Sequence, residues 1–425
     1  MPVDKKQIRE FEKTVVDGIE LTADWNRMFD QRVVFDYDPT GAMDKVTDLD
    51  GGESMGWCYQ CGQCIPVCPV DINGGEYGPL KIFRKLQQGI ELIADDDLWK
   101  CTSCMNCLRV CPKEVNMIKI MPAVRAEAVL KGKVPKELQD VFESTFEYGN
   151  PLGESPRKRA DWVAETGSTA PTMKELARPV DALWFVGSYP AYHKRGKDAS
   201  RALAKVLNLL GVDFGILGTE EKDDCDSFRL AGETGLFEEF AEYNIKTFKK
   251  YKFNQILLTD PHALNAFRKE YPKYGGDFEV VHYTTFLAPL MGKLDFKKKL
   301  NYKVTFHDPC YLGRHNGEFE APRTCLTSIP GIDLIEMGRC KQNSFCCGGG
   351  GGGMWLDGFM SDHVNERLSE KRVKEAVETG ADVLAVCCPY EVSRFEDAVK
   401  STGNEGKLLV KDIAELIEEA LGGEE

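Results

Sequence analysis

The sequence predicts a multidomain α+β protein in which a helical, cysteine-rich domain precedes two tandem α/β modules. Two observations predict this architecture. Eight cysteines fall into two runs of equal spacing within residues 51–130. Beyond residue 178, short apolar strands alternate with amphipathic helices, and the alternation occurs twice in the same order. Such alternation is typical of α/β units, and its repetition indicates two copies of one unit.

The overall composition excludes several classes of protein. The chain has 425 residues, enough for about two or three domains, and 42% of them are hydrophobic. The net charge of −14 argues against nucleic acid or an anionic membrane as the main partner. No apolar run approaches the roughly 18 residues that span a bilayer, and the N-terminus lacks the apolar core of a signal peptide. We therefore expect a cytoplasmic protein that reaches a membrane through partner subunits.

Composition and periodicity divide the chain into five segments. They are an N-terminal arm, a helical domain, a linker rich in proline and charge, and the two modules, at residues 1–50, 51–130, 131–178, 179–295 and 296–425. Apolar periodicity predicts helices in the second segment at residues 80–93 and 118–130. Strands are predicted in the modules at residues 182–187, 254–258, 304–306 and 382–386.

The two cysteine runs have the spacing of cubane [4Fe–4S] sites. Each run supplies three thiols from one tight loop and a fourth thiol followed by proline. In two-cluster proteins the fourth cysteine of each run ligates the other cluster. This rule assigns one cubane to Cys58, Cys61, Cys64 and Cys111, and the other to Cys101, Cys104, Cys107 and Cys68. Zinc sites have paired rather than fourfold runs, so we expect a helical ferredoxin domain with two [4Fe–4S] clusters.

The second module carries a vicinal cysteine pair that leads into six glycines. Residues 307–316 and 344–352 closely resemble the CCG (cysteine-rich) domain of heterodisulfide reductases and related oxidoreductases. In that family five cysteines bind a noncubane [4Fe–4S] cluster that attacks a disulfide. The resemblance implies four ligands here, namely Cys310, Cys346, Cys347 and Cys388. The glycines would let inorganic sulfides approach the backbone.

The fifth ligand of this third cluster stays open. Glu391 stands where the family has its last cysteine, and Cys387 precedes Cys388 directly. The cluster is therefore either noncubane, completed by Cys387 or Glu391, or an ordinary four-thiolate cube. His307 and His315 are candidate proton donors to a released thiolate. Arg314 is a candidate contact for an anionic substrate or a counter-charge to the cluster.

The first module has lost the cysteines that the resemblance requires. Its aligned positions are Ser188, Asp224, Cys225, Asp260 and Ala263. Because one thiol cannot hold a cluster, we expect a structural module that shapes the substrate groove. An alternative is that Asp224 or Asp260 carries protons or ligates an oxygen-preferring iron. If both were buried, mutual repulsion would raise their pKa values.

A ferredoxin domain before two CCG modules resembles the catalytic iron–sulfur subunit of membrane-linked heterodisulfide reductase, and its DsrK-type and TmcB-type relatives. The resemblance implies electron transfer between a membrane cytochrome b or quinone-reactive subunit and a cytoplasmic thiol/disulfide couple. It also implies a c-type cytochrome partner and a peripheral location on the inner face of the cytoplasmic membrane. Two alternatives remain: a pure electron-relay subunit, and the iron–sulfur subunit of a flavin-linked lactate, glycolate or glycerol-3-phosphate dehydrogenase.

Overall fold

The structure, a computed structural model, describes residues 14–16, 19–21, 46–48, 52–90, 92–164 and 169–422. Most of the expected N-terminal arm therefore lies outside the described residues. Within the arm, strands β1 (Thr14–Val16) and β2 (Ile19–Leu21) pair in an antiparallel hairpin. No described helix combines the length and the apolar character needed to cross a bilayer.

The cysteine-rich region is built from short helices around one apolar core. They are α1 (Pro69–Ile72), α2 (Pro79–Gln87), α3 (Asp97–Lys100), α4 (Asn106–Val110) and α5 (Met117–Leu130). Proline begins α1 and α2, where a missing amide hydrogen costs no helical bond. Helix α2 ends before the predicted residue 93, because Gly89 adopts a φ of 65°. Cys68 directly precedes α1, Cys101 directly follows α3, and Cys111 directly follows α4.

The segment 131–178 contributes to the cores on both sides of it. It carries α6 (Lys136–Tyr148), α7 (Asp161–Ala164) and α8 (Met173–Leu176). Leu138 of α6 is buried in the core of the cysteine-rich region. Trp162 of α7 is buried against Trp184, with ring centroids 5.4 Å apart. The proline and charge content of this segment thus accompanies well-packed helices.

The first of two parallel sheets contains β3 (Val180–Phe185), β4 (Phe214–Ile216), β5 (Phe253–Leu258) and β6 (Val280–His282) in the order β4-β3-β5-β6. Its helices are α9 (Ser188–Tyr192), α10 (Lys194–Leu209), α11 (Asp226–Leu230), α12 (Thr234–Phe248), α13 (Pro261–Lys269) and α14 (Tyr283–Leu287). Helix α13 begins at Asp260, whose carboxylate accepts from the His262 amide. All three strand pairs are parallel, as strand–helix alternation predicts.

The second sheet contains β7 (Tyr302–Phe306), β8 (Ile332–Leu334), β9 (Val383–Val386) and β10 (Leu409–Asp412) in the order β8-β7-β9-β10. Its helices are α15 (Glu320–Ser328), α16 (Asp357–Ser361), α17 (Leu368–Glu378), α18 (Pro389–Ser401) and α19 (Ile413–Leu421). Each sheet thus places its first strand between its second and third. Because Phe306 pairs with Ala385, the loops that leave β7 and β9 meet at one edge.

The two sheet regions share a hydrophobic core. Helix α10 packs on α19, so Leu203 and Val206 lie in one cluster with Leu416 and Ile417. At the rim of this contact, Arg195 binds the carboxylates of Glu396 and Glu415. The core of the cysteine-rich region also includes residues of the second sheet region, such as Phe345 and Leu368. These shared cores fix the cysteine-rich loops against the second sheet region.

Candidate metal centres

The first group of thiols lies at the protein surface. Cys61 is exposed, whereas Cys58, Cys64 and Cys111 are half-buried. Burial raises the pKa of Cys58, and the neighbouring thiolates of Cys111 and Cys61 raise it further. Cys111 belongs to the second cysteine run, whereas the other three cysteines belong to the first. This group therefore draws on both runs. Trp57, with 52% of its surface exposed, stands beside this group.

The second group of thiols lines an enclosed cavity. Cys68 of the first run and three cysteines of the second run, Cys101, Cys104 and Cys107, line this cavity and would supply the sulfur ligands. Burial raises the pKa of Cys68 to about 12, and the Cys101 thiolate contributes to the rise. The buried hydroxyls of Tyr77 and Ser103 line the same cavity without a protein partner. Four thiols and two unsatisfied donors fit a sulfide-rich cluster, whose sulfur atoms accept hydrogen bonds.

A third group of thiols lies where the loops after β7 and β9 meet. Cys310, Cys347, Cys388 and Glu391 line one cavity with Gly349 and Gly350. Cys346 lies in contact with this group and with Cys104 of the second group. Hydrogen bonds from Cys104, Cys310 and Cys347, in that order, hold the pKa of Cys346 well below its usual range. The second and third thiol groups are therefore in contact through the side chains of Cys104 and Cys346.

Glu391 points into the third group together with His307. The ligand atoms of His307, Cys347 and Glu391 lie within 4.8 Å of one another. Burial raises the pKa of Glu391 well above its usual range, although a hydrogen bond with Cys347 opposes the rise. Glu391 Oε2 is buried and has no hydrogen-bond partner. A buried carboxyl oxygen of this kind fits a position beside a cationic iron.

His307 is oriented by an arginine. Arg372 Nε donates to His307 Nδ1 across 3.0 Å, so Nδ1 carries no hydrogen. The ring hydrogen is therefore on Nε2, which faces Glu391 Oε1 at 3.2 Å. Burial first, and then the Arg372 charge, lower the pKa of His307 well below its usual value. His307 is therefore neutral and lies beside Glu391.

Cys387 does not line the third cavity. It is buried in the hydrophobic core shared by the two sheets, as is Cys325. Consecutive residues at a strand end point to opposite faces, so Cys387 and Cys388 diverge. Burial raises the pKa of Cys387 well above its usual value, as for a thiol in an apolar core.

Arg314 and His315 contact backbone rather than the cavity. Arg314 Nε donates to the carbonyl of Cys104 at 2.7 Å, and Nη1 donates to that of Ser344 at 2.7 Å. His315 Nε2 donates to the carbonyl of Ser103 at 3.0 Å. Burial lowers the pKa of His315 to about 3, so its ring is neutral at physiological pH. Both side chains hold the 101–104 loop, a role that sequence reasoning did not foresee.

The glycine-rich loop, residues 348–353, also packs against the 101–104 loop, and this contact requires glycine. A Cβ on Gly350 would lie 2.4 Å from the carbonyl oxygen of Thr102. A Cβ on Gly351, whose φ is +64°, would lie 2.6 Å from the carbonyl oxygen of Cys101. Glycine is required at both positions because two backbones meet there. The predicted reason, room for inorganic sulfide, remains for Gly349, which lies against Cys347.

In the first sheet region, buried carboxyl groups occupy the corresponding loops. Burial raises the pKa of Asp260 to about 6. Burial, followed by the charges of Asp223 and Asp260, raises the pKa of Asp224 well above its usual range. Cys225 is fully buried in the core. Among the described residues, no convergent metal-ligand group forms here, in contrast to the His307 group.

The sequence predicted that the first module shapes the substrate groove, but it did not single out the residues that line the third cavity from that side, among them Pro261 and His262. His262 lines that cavity and stacks on Tyr311, with ring centroids 3.8 Å apart. Its Nδ1 lies 3.0 Å from Asp226 Oδ2, and Asp226 also accepts from Arg229. Tyr390 lines the cavity from α18. His262 follows the aligned Asp260 by two residues, which was the available signal.

Comparisons with known proteins agree with these two cysteine-bearing regions. Residues 57–116 match the family described as 4Fe-4S dicluster domain, and residues 304–390 match the family described as Cysteine-rich domain. A hypothetical protein from Helicobacter pylori, whose crystal structure is known, superposes on 94% of this chain and 76% of its own. The TM-score is 0.53 at 10% identity, so that likeness concerns the fold alone.

Three curated relatives cover most of this chain. The probable iron-sulfur-binding oxidoreductase FadF of Bacillus subtilis is 36% identical over 86% of this chain and 60% of its own length. The EtfAB:quinone oxidoreductase of Syntrophomonas wolfei is 33% identical over 71% of this chain and 43% of its own. The HdrD subunit of the dihydromethanophenazine:CoB–CoM heterodisulfide reductase of Methanosarcina mazei is 32% identical over 86% of this chain and 93% of its own. The chain thus spans less than two thirds of the first two relatives.

Proposed function

Since the chain belongs to the family of the HdrD subunit of heterodisulfide reductase, a family of iron–sulfur oxidoreductases, we propose that it is the iron–sulfur subunit of a membrane-associated redox complex. It passes electrons between a quinone-reactive or cytochrome b partner and a cytoplasmic thiol/disulfide couple. A c-type cytochrome is a further candidate partner. The subunit lies on the inner face of the cytoplasmic membrane and binds it through these partners.

The proposed domains follow the five segments of the sequence. Residues 51–130 form the helical ferredoxin domain, and residues 1–50 and 131–178 are an arm and a connecting segment. Residues 179–295 and 296–425 are two copies of one CCG module, the first of which has lost its cluster. Their common strand order supports the duplication, since each sheet has its first strand between its second and third.

Three clusters follow from the three groups of thiols. Cys58, Cys61, Cys64 and Cys111 hold one cubane, and Cys68, Cys101, Cys104 and Cys107 hold the other. The mixing of the two cysteine runs in each group supports this crossed assignment. A third [4Fe–4S] cluster is held by Cys310, Cys346, Cys347 and Cys388, with Glu391 as the fifth, oxygen ligand. The presence of Glu391 in the cavity and of Cys387 in the core supports that choice.

One observation carries the proposal. Cys346 lies in one buried cluster with Cys104 and Cys310, and its sulfur is 3.5 Å from Thr102 Oγ1, so the third thiol group is in direct contact with the ferredoxin region. Bound clusters would supply one electron at a time, whereas cleavage of a disulfide needs two. The chain itself contributes a buried cavity in which Glu391 lies beside Cys347 and His307. His307, whose ring hydrogen is on Nε2, is the candidate to hydrogen-bond a departing thiolate there.

Electron relay without bond cleavage is the second candidate function. A relative at 33% identity is named EtfAB:quinone oxidoreductase, a name that mentions no thiol or disulfide. The replacement of the family's last cysteine by Glu391 also favours this alternative. In a relay, the third cavity would exchange electrons with a protein partner and would bind no thiol.

Electron paramagnetic resonance of the anaerobic, oxidised protein with and without added thiol separates the two functions. Disulfide chemistry predicts a thiol-dependent paramagnetic signal that is absent in Cys346→Ser. If the oxidised protein gives no response to thiol, and the reduced protein gives cubane signals alone, the relay is established instead. Cys340→Ser is a matched control, because Cys340 is half-buried and lies outside all three thiol groups.

A further inference from the structure

The loop between Cys101 and Cys104 is inserted into the second sheet region. Three of its four carbonyl groups accept hydrogen bonds from the side chains of Arg125, His315 and Arg314, and the fourth, of Thr102, packs against Gly350. In the same loop, Thr102 Oγ1 lies 3.5 Å from Cys346 Sγ. Three side-chain hydrogen bonds to four consecutive residues hold the loop in place, since each of them fixes one peptide group.

Arg125 is a buried cation without a carboxylate partner. Its side chain is fully buried, and its donors bind only carbonyl oxygens, those of Leu98, Cys101, Leu230 and Gly351, at 2.8–2.9 Å. The ionisable groups that its charge meets are Cys101, Tyr77 and Tyr311. Within the described residues, no acid forms an ion pair with it. A buried charge is costly unless a charge of opposite sign compensates it.

Other buried arginines of this protein follow the usual rule. Arg159 pairs with Glu221 at 2.8 Å, and Arg323 pairs with Asp308 at 2.7 Å. Arg372, fully buried like Arg125, pairs with Glu375 at 2.8 Å. The missing acid at Arg125 therefore distinguishes the position beside the second thiol group from comparable positions elsewhere.

Arg314, on the other side of the loop, is half-buried and likewise has no carboxylate partner among the described residues. Its hydrogen bonds go to carbonyl oxygens, and its Nη2 is buried without any partner. Its Nε donates to the carbonyl of Cys104 at 2.7 Å, and its Nη1 donates to that of Ser344, two residues before Cys346, at 2.7 Å. Its field thus reaches the second and third thiol groups together.

We propose that Arg125 and Arg314 are the counter-charges of an internal electron-transfer junction between the second and third iron–sulfur sites. Each reduction adds one negative charge, and a fixed cation nearby stabilises the reduced state more than the oxidised state. The pair therefore raises the reduction potential of the cluster at Cys68, Cys101, Cys104 and Cys107. The first group has an exposed thiol at Cys61, where water screens fixed charges, and it gains less.

The difference in reduction potential favours transfer of single electrons from the first site to the second. With clusters bound, an electron that enters at the exposed first group would be more stable at the second group, beside Cys346. Both arginines are positioning residues, since they act on the potential and take no part in bond cleavage. This inference rests on the proposed assignment of the clusters, and the test separates the two.

The test is a redox titration of the ferredoxin-type paramagnetic signals in Arg125→Met, Arg314→Met and wild-type protein. We expect one of the two signals to appear at a more negative potential in both variants, while the other keeps its midpoint. Arg125→Lys, which retains the charge, keeps the wild-type midpoint. Arg178→Met is the control, because Arg178 is half-exposed and pairs with Asp213 far from the cysteines.

Unchanged midpoints in iron-replete Arg125→Met and Arg314→Met would overturn the inference, as would an equal shift in Arg178→Met. If Arg125→Met fails to retain iron, Arg314→Met decides alone. Iron content reports separately on the proposed function. Wild-type protein that lacks one of the clusters contradicts the cluster assignment, whereas full iron with unchanged potentials contradicts only the role of the arginines.

Discussion

The two sheet regions have the same strand order but opposite chemistry at their carboxyl edges. After β7 and β9 come Cys310 and Cys388, and after β3 and β5 come Ser188 and Asp260. The strands of both sheets are apolar and buried, so the fold depends little on these loop residues. One strand order therefore carries thiols at the carboxyl edge of one sheet and buried acids at that of the other. The comparison also gives each variant in one region a counterpart in the other.

The largest expected effect is the loss of a whole cluster. Cys347→Ser should remove about a third of the sulfur-to-iron charge-transfer absorbance, because the third group then lacks one of its thiolates. Cys225→Ser, at the aligned position of the first module, should leave the spectrum unchanged. The visible spectra of both variants, purified without oxygen, provide the measurement. Equal loss in the two variants would mean that the first module also holds iron.

The second effect concerns the acids of the first module. Folding raises the pKa of Asp260 from 3.8 to about 6, so the folded state binds this proton more tightly. That stabilisation is complete below about pH 4 and is lost as the pH rises to about 6. Asp260→Asn removes the cost of burying a charged carboxylate and preserves the helix cap. It should therefore stabilise the protein at neutral pH by up to about 3 kcal/mol.

Urea unfolding midpoints between about pH 5 and pH 8 check this prediction. The advantage of Asp260→Asn over wild type should grow across that range. Asp277→Asn, at an exposed position of the same module, is the matched control. A constant difference between Asp260→Asn and wild type would show that Asp260 is charged in the folded protein throughout.

The third effect tests the contact that only the cysteine-bearing module makes through its glycine-rich loop. Gly350→Ala should destabilise the protein by about 2 kcal/mol, because the new methyl group meets the Thr102 carbonyl at 2.4 Å. Gly292→Ala is the control, since nothing lies within 4 Å of its Cβ. Hydrogen exchange of the 101–104 amides should quicken in Gly350→Ala alone. Equal exchange in both variants would refute the close packing of the two loops.

The smallest expected effect is that of Cys387→Ser, which is compared with Cys388→Ser at the adjacent position. Cys387→Ser should keep all iron and lose about 1 kcal/mol of stability, because it introduces a hydroxyl into an apolar core. Cys388→Ser should lose the third cluster. Iron analysis and thermal unfolding of the two variants give the comparison. Iron loss in Cys387→Ser would make Cys387 the fifth ligand in place of Glu391.

Local patterns in the sequence predicted the regular elements well. The apolar runs at residues 182–187, 304–306 and 382–386 correspond to β3, β7 and β9. The cysteine spacing predicted iron–sulfur binding, and the match to the dicluster family confirms it. The resemblance to heterodisulfide reductase is confirmed by the relative that this chain covers over 93% of its length. Such features depend on neighbouring residues, which a sequence displays directly.

Long-range contacts were beyond sequence reasoning. Arg125 was one polar residue of a predicted helix, yet its partners lie up to 226 positions away, at Gly351. Arg314 and His315 flank Cys310 in sequence, but they bind carbonyl groups of the 101–104 loop. Leu138 and Trp162 lie in a segment rich in charge and proline, and they are buried in two different cores. Each of these outcomes depends on how separate regions dock.

The central claim is that this chain holds three iron–sulfur centres, and that the third belongs to the second module. Iron and acid-labile sulfide per chain, determined after purification without oxygen, test it most directly. The account predicts about twelve iron atoms per chain. A value of about eight, with none bound by the second module, would contradict it.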